Sequence, residues 1–201
     1  NALKSNTGNY NTAIGSNTLS NNDFGYNNTG VGCNALQTNE GGANNTALGY
    51  NALLANLTGD GNAAFGSKAL ASNTTGNSNT AIGYNALTNN TIGSNNIGIG
   101  VVAGANTSTG DYNIAIGKQA LQQNTTGIKN TAVGYSSLNT NAIGTNNTAF
   151  GYASFVQRFH LQQNALLLHR LNYGGLLFLV RHHLMSKRFY LTWFYSYQLH
   201  Y

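Results

Sequence analysis

The chain of 201 residues has no proline, a single cysteine and a single tryptophan, and only 6% of its residues are charged. Charge at that level is far below the roughly 25% of an ordinary globular chain, so neutral amides and hydroxyls have to keep it in solution. The lone Cys33 cannot close an internal disulfide, and it says nothing decisive about a redox compartment. No basic and apolar leader opens the chain, and Asn1 in place of methionine reads as a fragment or a processed product. The longest apolar stretch, Leu176 to Val180, stops at Arg181. That is far short of the ~20 residues of a membrane helix, so no transmembrane span is expected.

Charge of one sign is also missing from most of the chain. Through residue 155, Lys4, Lys68, Lys118 and Lys129 are balanced by Asp23, Glu40, Asp60 and Asp111. The whole net charge of +5 comes from Arg158, Arg170, Arg181, Lys187 and Arg188. A nucleic acid partner for the first three quarters of the chain is therefore not expected.

What is present is a repeat. Glycine recurs every 17 residues at Gly15, Gly32, Gly49, Gly66, Gly83, Gly100, Gly117, Gly134 and Gly151. A second series stands seven residues ahead of it, from Gly8 and Gly25 to Gly127 and Gly144, also without a gap. The residue before each glycine of the first series is apolar, from Ile14 and Val31 to Val133 and Phe150, and the residue before that is alanine or glycine. Four residues ahead stands asparagine in all nine copies, including Asn45, Asn79, Asn113 and Asn130. A disordered chain of this composition would have no reason to keep that phase, so an ordered solenoid is expected over residues 1–155.

Helical repeats are excluded by the short unit, by two glycines in every copy and by weak helix formers between them. The Asn-Thr-Ala-Ile-Gly segment alternates with period two, with threonine and isoleucine on one face and asparagine and alanine on the other. A second apolar column, Leu19, Leu36, Leu53, Leu70, Leu87, Leu121 and Leu138, is interrupted at Gly104. The fold expected is all-β, a parallel β-solenoid of nine coils. Each coil is read as two short strands with the two aliphatic columns meeting inside. Two asparagine columns are expected to stack as amide ladders, the second running through Asn22, Asn39, Asn56, Asn73, Asn90, Asn124 and Asn141, with Thr107 the exception.

The unit from Gly76 to Leu87, Gly-Asn-Ser-Asn-Thr-Ala-Ile-Gly-Tyr-Asn-Ala-Leu, resembles the head repeat of YadA-like trimeric autotransporter adhesins and of related bacteriophage tail-fibre proteins. The resemblance covers about three quarters of the chain, and the unit here is a few residues longer in its polar link. It implies a left-handed β-roll, a homotrimer, display on a cell or virion surface outside the cell, and a host-surface glycan or protein as receptor. The small-residue columns at Ala13 to Ala149 and at Ala35 to Ala120 are read as places where rolls could approach one another.

Chemistry is sparse. No acid stands near a histidine in the repeats, all five histidines lie in the tail, and no metal-ligand spacing occurs. Neither catalysis nor a cofactor nor a metal is expected; Asp23 and Glu40 on adjacent coils read as solvated loop acids. Two columns are candidate contacts. Tyr50, Tyr84, Tyr135 and Tyr152 follow the glycine and either stack on sugars or pack at a turn. Thr12, Thr29, Thr46, Thr80, Thr131 and Thr148 form a ladder interrupted by Ala63, Ile97 and Ile114. A flat threonine ladder makes ice, or another crystalline surface, the alternative ligand.

After Tyr152 the register collapses into a basic, apolar tail over residues 156–201. Helical or irregular structure is expected there, and the tail is read either as a cap or as an out-of-frame translation of further repeats.

Overall fold

The computed structural model describes residues 1–154 and, beyond them, 156–158, 165–170, 177–182 and 191–193. The repeats supply nine strands of three residues: β1 Thr12–Ile14, β2 Thr29–Val31, β3 Thr46–Leu48, β4 Ala63–Phe65, β5 Thr80–Ile82, β6 Ile97–Ile99, β7 Ile114–Ile116, β8 Thr131–Val133 and β9 Thr148–Phe150. They form one parallel sheet in chain order. Each residue pairs with its equivalent one period later, as in Thr80↔Ile97 and Ile82↔Ile99. The backbone thus winds once per 17 residues into a β-solenoid, and at ~4.8 Å per coil the sheet is roughly 40 Å long.

The interior departs from the expected one. The alternation within each strand is as read, but the face that turns inward carries asparagine and alanine. Ala47, Ala64, Ala81 and Ala132 are fully buried, whereas Ile14, Leu48, Phe65, Ile82, Ile116 and Phe150 are exposed. The lumen of so short a coil holds one layer of large side chains, and the leucine column fills it: Leu19, Leu36, Leu53, Leu70, Leu121 and Leu138 have no exposed surface. The wall facing those leucines must then be small. The alanine columns read as sites for close approach by another roll are consequently core residues, with Ala35, Ala52, Ala69, Ala86, Ala103 and Ala120 also at 0% exposure.

The leucine wall is not a second strand. Asn51 and Leu53 have φ of 54° and 50°, and the same left-handed pair recurs at Asn17 and Leu19, Asn34 and Leu36, and Asn85 and Leu87. In an extended strand Ala52 and Leu53 would point to opposite faces. A left-handed residue folds the chain so that both point inward, and both are fully buried. For leucine that conformation costs about 1–2 kcal/mol, comparable with the about 1.5–3 kcal/mol from burying its side chain. Bonds between coils add to the balance: Leu53 N donates to Ala69 O at 3.0 Å, and Leu36 N to Ala52 O at 3.0 Å.

Buried asparagines connect the coils. In the first column Asn45 Oδ1 accepts from the backbone N of Asn62 at 2.9 Å, while Asn45 Nδ2 donates to Gly59 O at 2.7 Å. In the second column amide bonds to amide, with Asn73 Nδ2 donating to Asn56 Oδ1 and Asn90 Nδ2 to Asn73 Oδ1, both at 2.8 Å. The same Nδ2 groups close a local turn on the glycine three residues on, as Asn73 does on Gly76 O at 2.9 Å. That glycine cannot carry a side chain: at Gly59 a Cβ would lie 2.5 Å from Asn56 Oδ1 and 2.5 Å from Gly76 O. The ladders answer how a polar segment can be interior, since nearly every buried amide has a partner one coil away.

The second ladder breaks at Thr107, where three departures from the repeat coincide. Gly104 replaces leucine and Gly98 replaces alanine, and the side chain of Leu87 occupies the space where either would place a Cβ, its nearest atoms 2.7 and 2.8 Å away. The apolar core divides there into one cluster ending at Leu87 and another beginning at Ala103. Thr107 Oγ1, Asn90 Oδ1 and Asn124 Oδ1 are buried without a hydrogen-bond partner. Thr107→Asn restores a donor toward Asn90 Oδ1 and is expected to stabilise the fold by about 1–2 kcal/mol. A urea midpoint unchanged or lowered in this variant would show that the gap is not relieved by an amide.

In the tail the described segments are strands β10 Val156–Arg158, β11 Ala165–Arg170, β12 Leu177–His182 and β13 Leu191–Trp193. They form a four-stranded antiparallel sheet in chain order in place of the helical or irregular tail expected. Phe178 and Val180 in β12 and Thr192 and Trp193 in β13 are types that favour extended chain, whereas the alanine and leucines of β11 are good helix formers and local preference does not account for that strand. The other tail residues, and with them the out-of-frame reading, lie outside the described residues.

Candidate binding surfaces

The strand face that turns away from the core presents two columns. One is Thr12, Thr29, Thr46, Ala63, Thr80, Ile97, Ile114, Thr131 and Thr148; the other is Ile14, Val31, Leu48, Phe65, Ile82, Ile99, Ile116, Val133 and Phe150. Thr12 and Thr148 are exposed, and Thr29, Thr46, Thr80 and Thr131 are half-buried by their neighbours. In the second column exposure reaches 61% at Ile14 and 62% at Phe150. No charged residue interrupts either column. Two side chains wide and roughly 40 Å long, the face covers on the order of 400 Å², within the roughly 300–600 Å² of the largest apolar patch on a typical monomer, which is often functional.

The tyrosine column borders that face. Tyr50, Tyr84, Tyr135 and Tyr152 stand at the turn after the glycine and are 51%, 52%, 41% and 70% exposed, so each ring packs one side at the turn and presents the other to solvent. Tyr135 and Tyr152 stack with centroids 5.1 Å apart and planes within 9°. Lys118 Nζ lies 5.9 Å from the centre of the Tyr135 ring, an exposed cation–π contact of about 0.5–1 kcal/mol. Tyr50 and Tyr84 are separated by Ser67, and Tyr84 from Tyr135 by Val101 and Lys118.

The acids of the repeats have different surroundings. Asp60 Oδ1 accepts from Ala43 N and Asp111 Oδ1 from Ser94 N, each at 2.7 Å, so these two carboxylates fasten a coil to the preceding one. Asp23 and Glu40 are exposed. Among the described residues no group of three or more histidines, cysteines, aspartates or glutamates could hold a metal ion, and no helix is long and apolar enough to cross a membrane. Cys33 is an exposed free thiol.

One feature is absent from the periodic pattern altogether. Thr7, Gly8, Asn9, Tyr10, Phe24, Tyr26 and Asn27 line an open cleft of about 430 Å³. Its three aromatic residues occupy columns that are small or polar in the next coils, and no repeat signal points to them; only the deviation of single copies from the unit could have revealed it.

Fold and surfaces together define a repetitive β-solenoid with asparagine ladders inside and a neutral threonine and aliphatic face outside. No protein-family model, curated protein or solved structure matches the chain.

Proposed function

We propose that the chain is a structural or adhesive rod of an extracellular, cell or virion surface, a non-catalytic element of the adhesin or tail-fibre kind that its repeat resembles. The uncovered Thr/Ile face is the observation that carries this reading. Along it, apolar side chains repeat at strand spacing with no charge to repel a copy of itself, which fits burial against identical rolls in a homotrimer. A trimer would leave the tyrosine columns of three rolls at the surface, where individually weak contacts with a glycan or protein receptor add by avidity.

Light scattering on the intact chain tests the assembly. A mass three times the 21.3 kDa of one chain is expected, and a monomer at micromolar concentration would overturn it. The triple variant Ile82→Lys, Ile99→Lys, Ile116→Lys places ammonium groups on the exposed face without touching the core. It is expected to be monomeric with an unchanged far-ultraviolet circular dichroism spectrum.

A second reading is favoured by the outward direction of the threonines. Ranks of hydroxyls and methyls on a regular sheet match the needs of a crystalline surface such as ice. The two readings exclude each other on this face, because a buried face cannot meet ice. A monomer that inhibits ice recrystallisation would select the second, and a trimer with no such activity the first.

A further inference from the structure

We infer that the cleft bounded by Tyr10, Phe24 and Tyr26 is a binding site for a neutral saccharide. Tyr10, Phe24 and Tyr26 are 85%, 77% and 50% exposed around one cavity. The fold does not require them. At the positions equivalent to Phe24 the next coils carry Gly41, Thr58 and Thr75, for Tyr26 they carry Ala43, Asp60 and Asn77, and for Tyr10 they carry Asn27, Asn44 and Gly61; large side chains return to these columns singly, at Ile92 and Ile143, Ile128 and Tyr112. Only here, among the described residues, do three aromatic rings from these columns meet, and their convergence on one cleft is what a ligand would use.

The cleft's chemistry selects the ligand. Its volume of about 430 Å³ falls in the roughly 300–1,000 Å³ range of small-ligand sites. No charged side chain lines it, which disfavours phosphate-bearing or ionic ligands. Rings can take the C–H face of a pyranose, and the Tyr10 and Tyr26 hydroxyls and the Asn9 amide, which make no hydrogen bond among the described residues, can pair with its hydroxyls. Thr7 is already engaged through Oγ1 with Asp23 O, which helps to hold the wall of the cleft in place.

This site names the receptor class of the adhesive reading and rests on that reading for its use, although its chemistry stands alone. The intact chain should be applied to an array of neutral glycans and binding confirmed by saturation-transfer NMR. A hit is expected whose affinity falls by about tenfold in Tyr10→Ala and in Phe24→Ala, with melting temperatures unchanged, while Tyr112→Ala, which removes an exposed ring outside both the cleft and the tyrosine column, binds as the parent does. Failure of every neutral glycan, binding of peptides alone, or full binding by Tyr10→Ala and Phe24→Ala would overturn the assignment. Loss in Tyr84→Ala and Tyr135→Ala instead would move the receptor to the tyrosine column and leave the adhesive reading standing.

Discussion

Alanine in place of Gly83 is expected to cost about 3–5 kcal/mol and to lower the melting temperature by ~10 °C or more. Two effects combine. Gly83 has φ of +131°, outside the left-handed region in which asparagine and leucine are accepted elsewhere in each coil, and a side chain there is strained in any rotamer. Its Cβ would also lie 2.7 Å from Gly100 O, and the next coil cannot retreat without breaking the bond from Gly100 N to Ile82 O at 2.8 Å. Gly61→Asn is the control. Its φ of 65° is one that asparagine tolerates, and a Cβ there meets only Ser78 Oγ at 3.8 Å. Asparagine already occupies the same column at Asn27, Asn44 and Asn95 with φ of 56°, 58° and 59°, so this change should leave stability within about 0.5 kcal/mol or raise it slightly. Equal thermal unfolding of Gly83→Ala and the parent would refute the account of the coil's tight corner.

Asn79→Ala should also be damaging, at about 2–3 kcal/mol. The Asn79 amide accepts from Asn96 N at 2.9 Å and donates to Gly93 O at 2.8 Å and to Asn62 Oδ1 at 3.2 Å. Deleting it strands the Asn96 N–H in a dry interior, at a cost of about 1–3 kcal/mol, while Gly93 O keeps its bond from Asn90 Nδ2 at 2.9 Å. Asn89→Ala removes a comparable amide bond, to Asn106 Oδ1 at 2.8 Å, at an exposed position where water replaces it, and should change stability by under about 0.5 kcal/mol. Urea titration of the two variants separates buried ladder from surface ladder. Amide exchange adds a local readout, since the Asn96 N–H should lose protection in Asn79→Ala first. If both variants unfold at the parent midpoint, the ladders do not hold the coils together.

The winding was legible because the two glycine series and the Asn79 column repeat without a gap, and a repeating environment demands a repeating residue. The ladders were legible for the same reason, down to the exception at Thr107. The direction of the strands was not. Hydrophobicity placed Ile82 inside, yet Ile82 is 41% exposed while Ala81 and Asn79 are fully buried. Alanine or glycine at every position equivalent to Ala81 was the available signal, because only a wall facing a narrow lumen must stay small in all nine copies. The threonine and tyrosine columns were found as sequence features, whereas their exposure, and the cleft at Tyr10, Phe24 and Tyr26, required coordinates.

Periodicity is a property of one chain read in order, so the sequence by itself determined the 17-residue turn, the single parallel sheet and the asparagine stacks. Which face of each strand meets the leucines depends on how wide the coil is, and that width is set by left-handed residues such as Asn51 and Leu53, whose φ of 54° and 50° no composition or spacing announces. Only the folded coil decides it: the lumen closes around one layer of leucine, and every isoleucine that cannot fit is turned out to the surface.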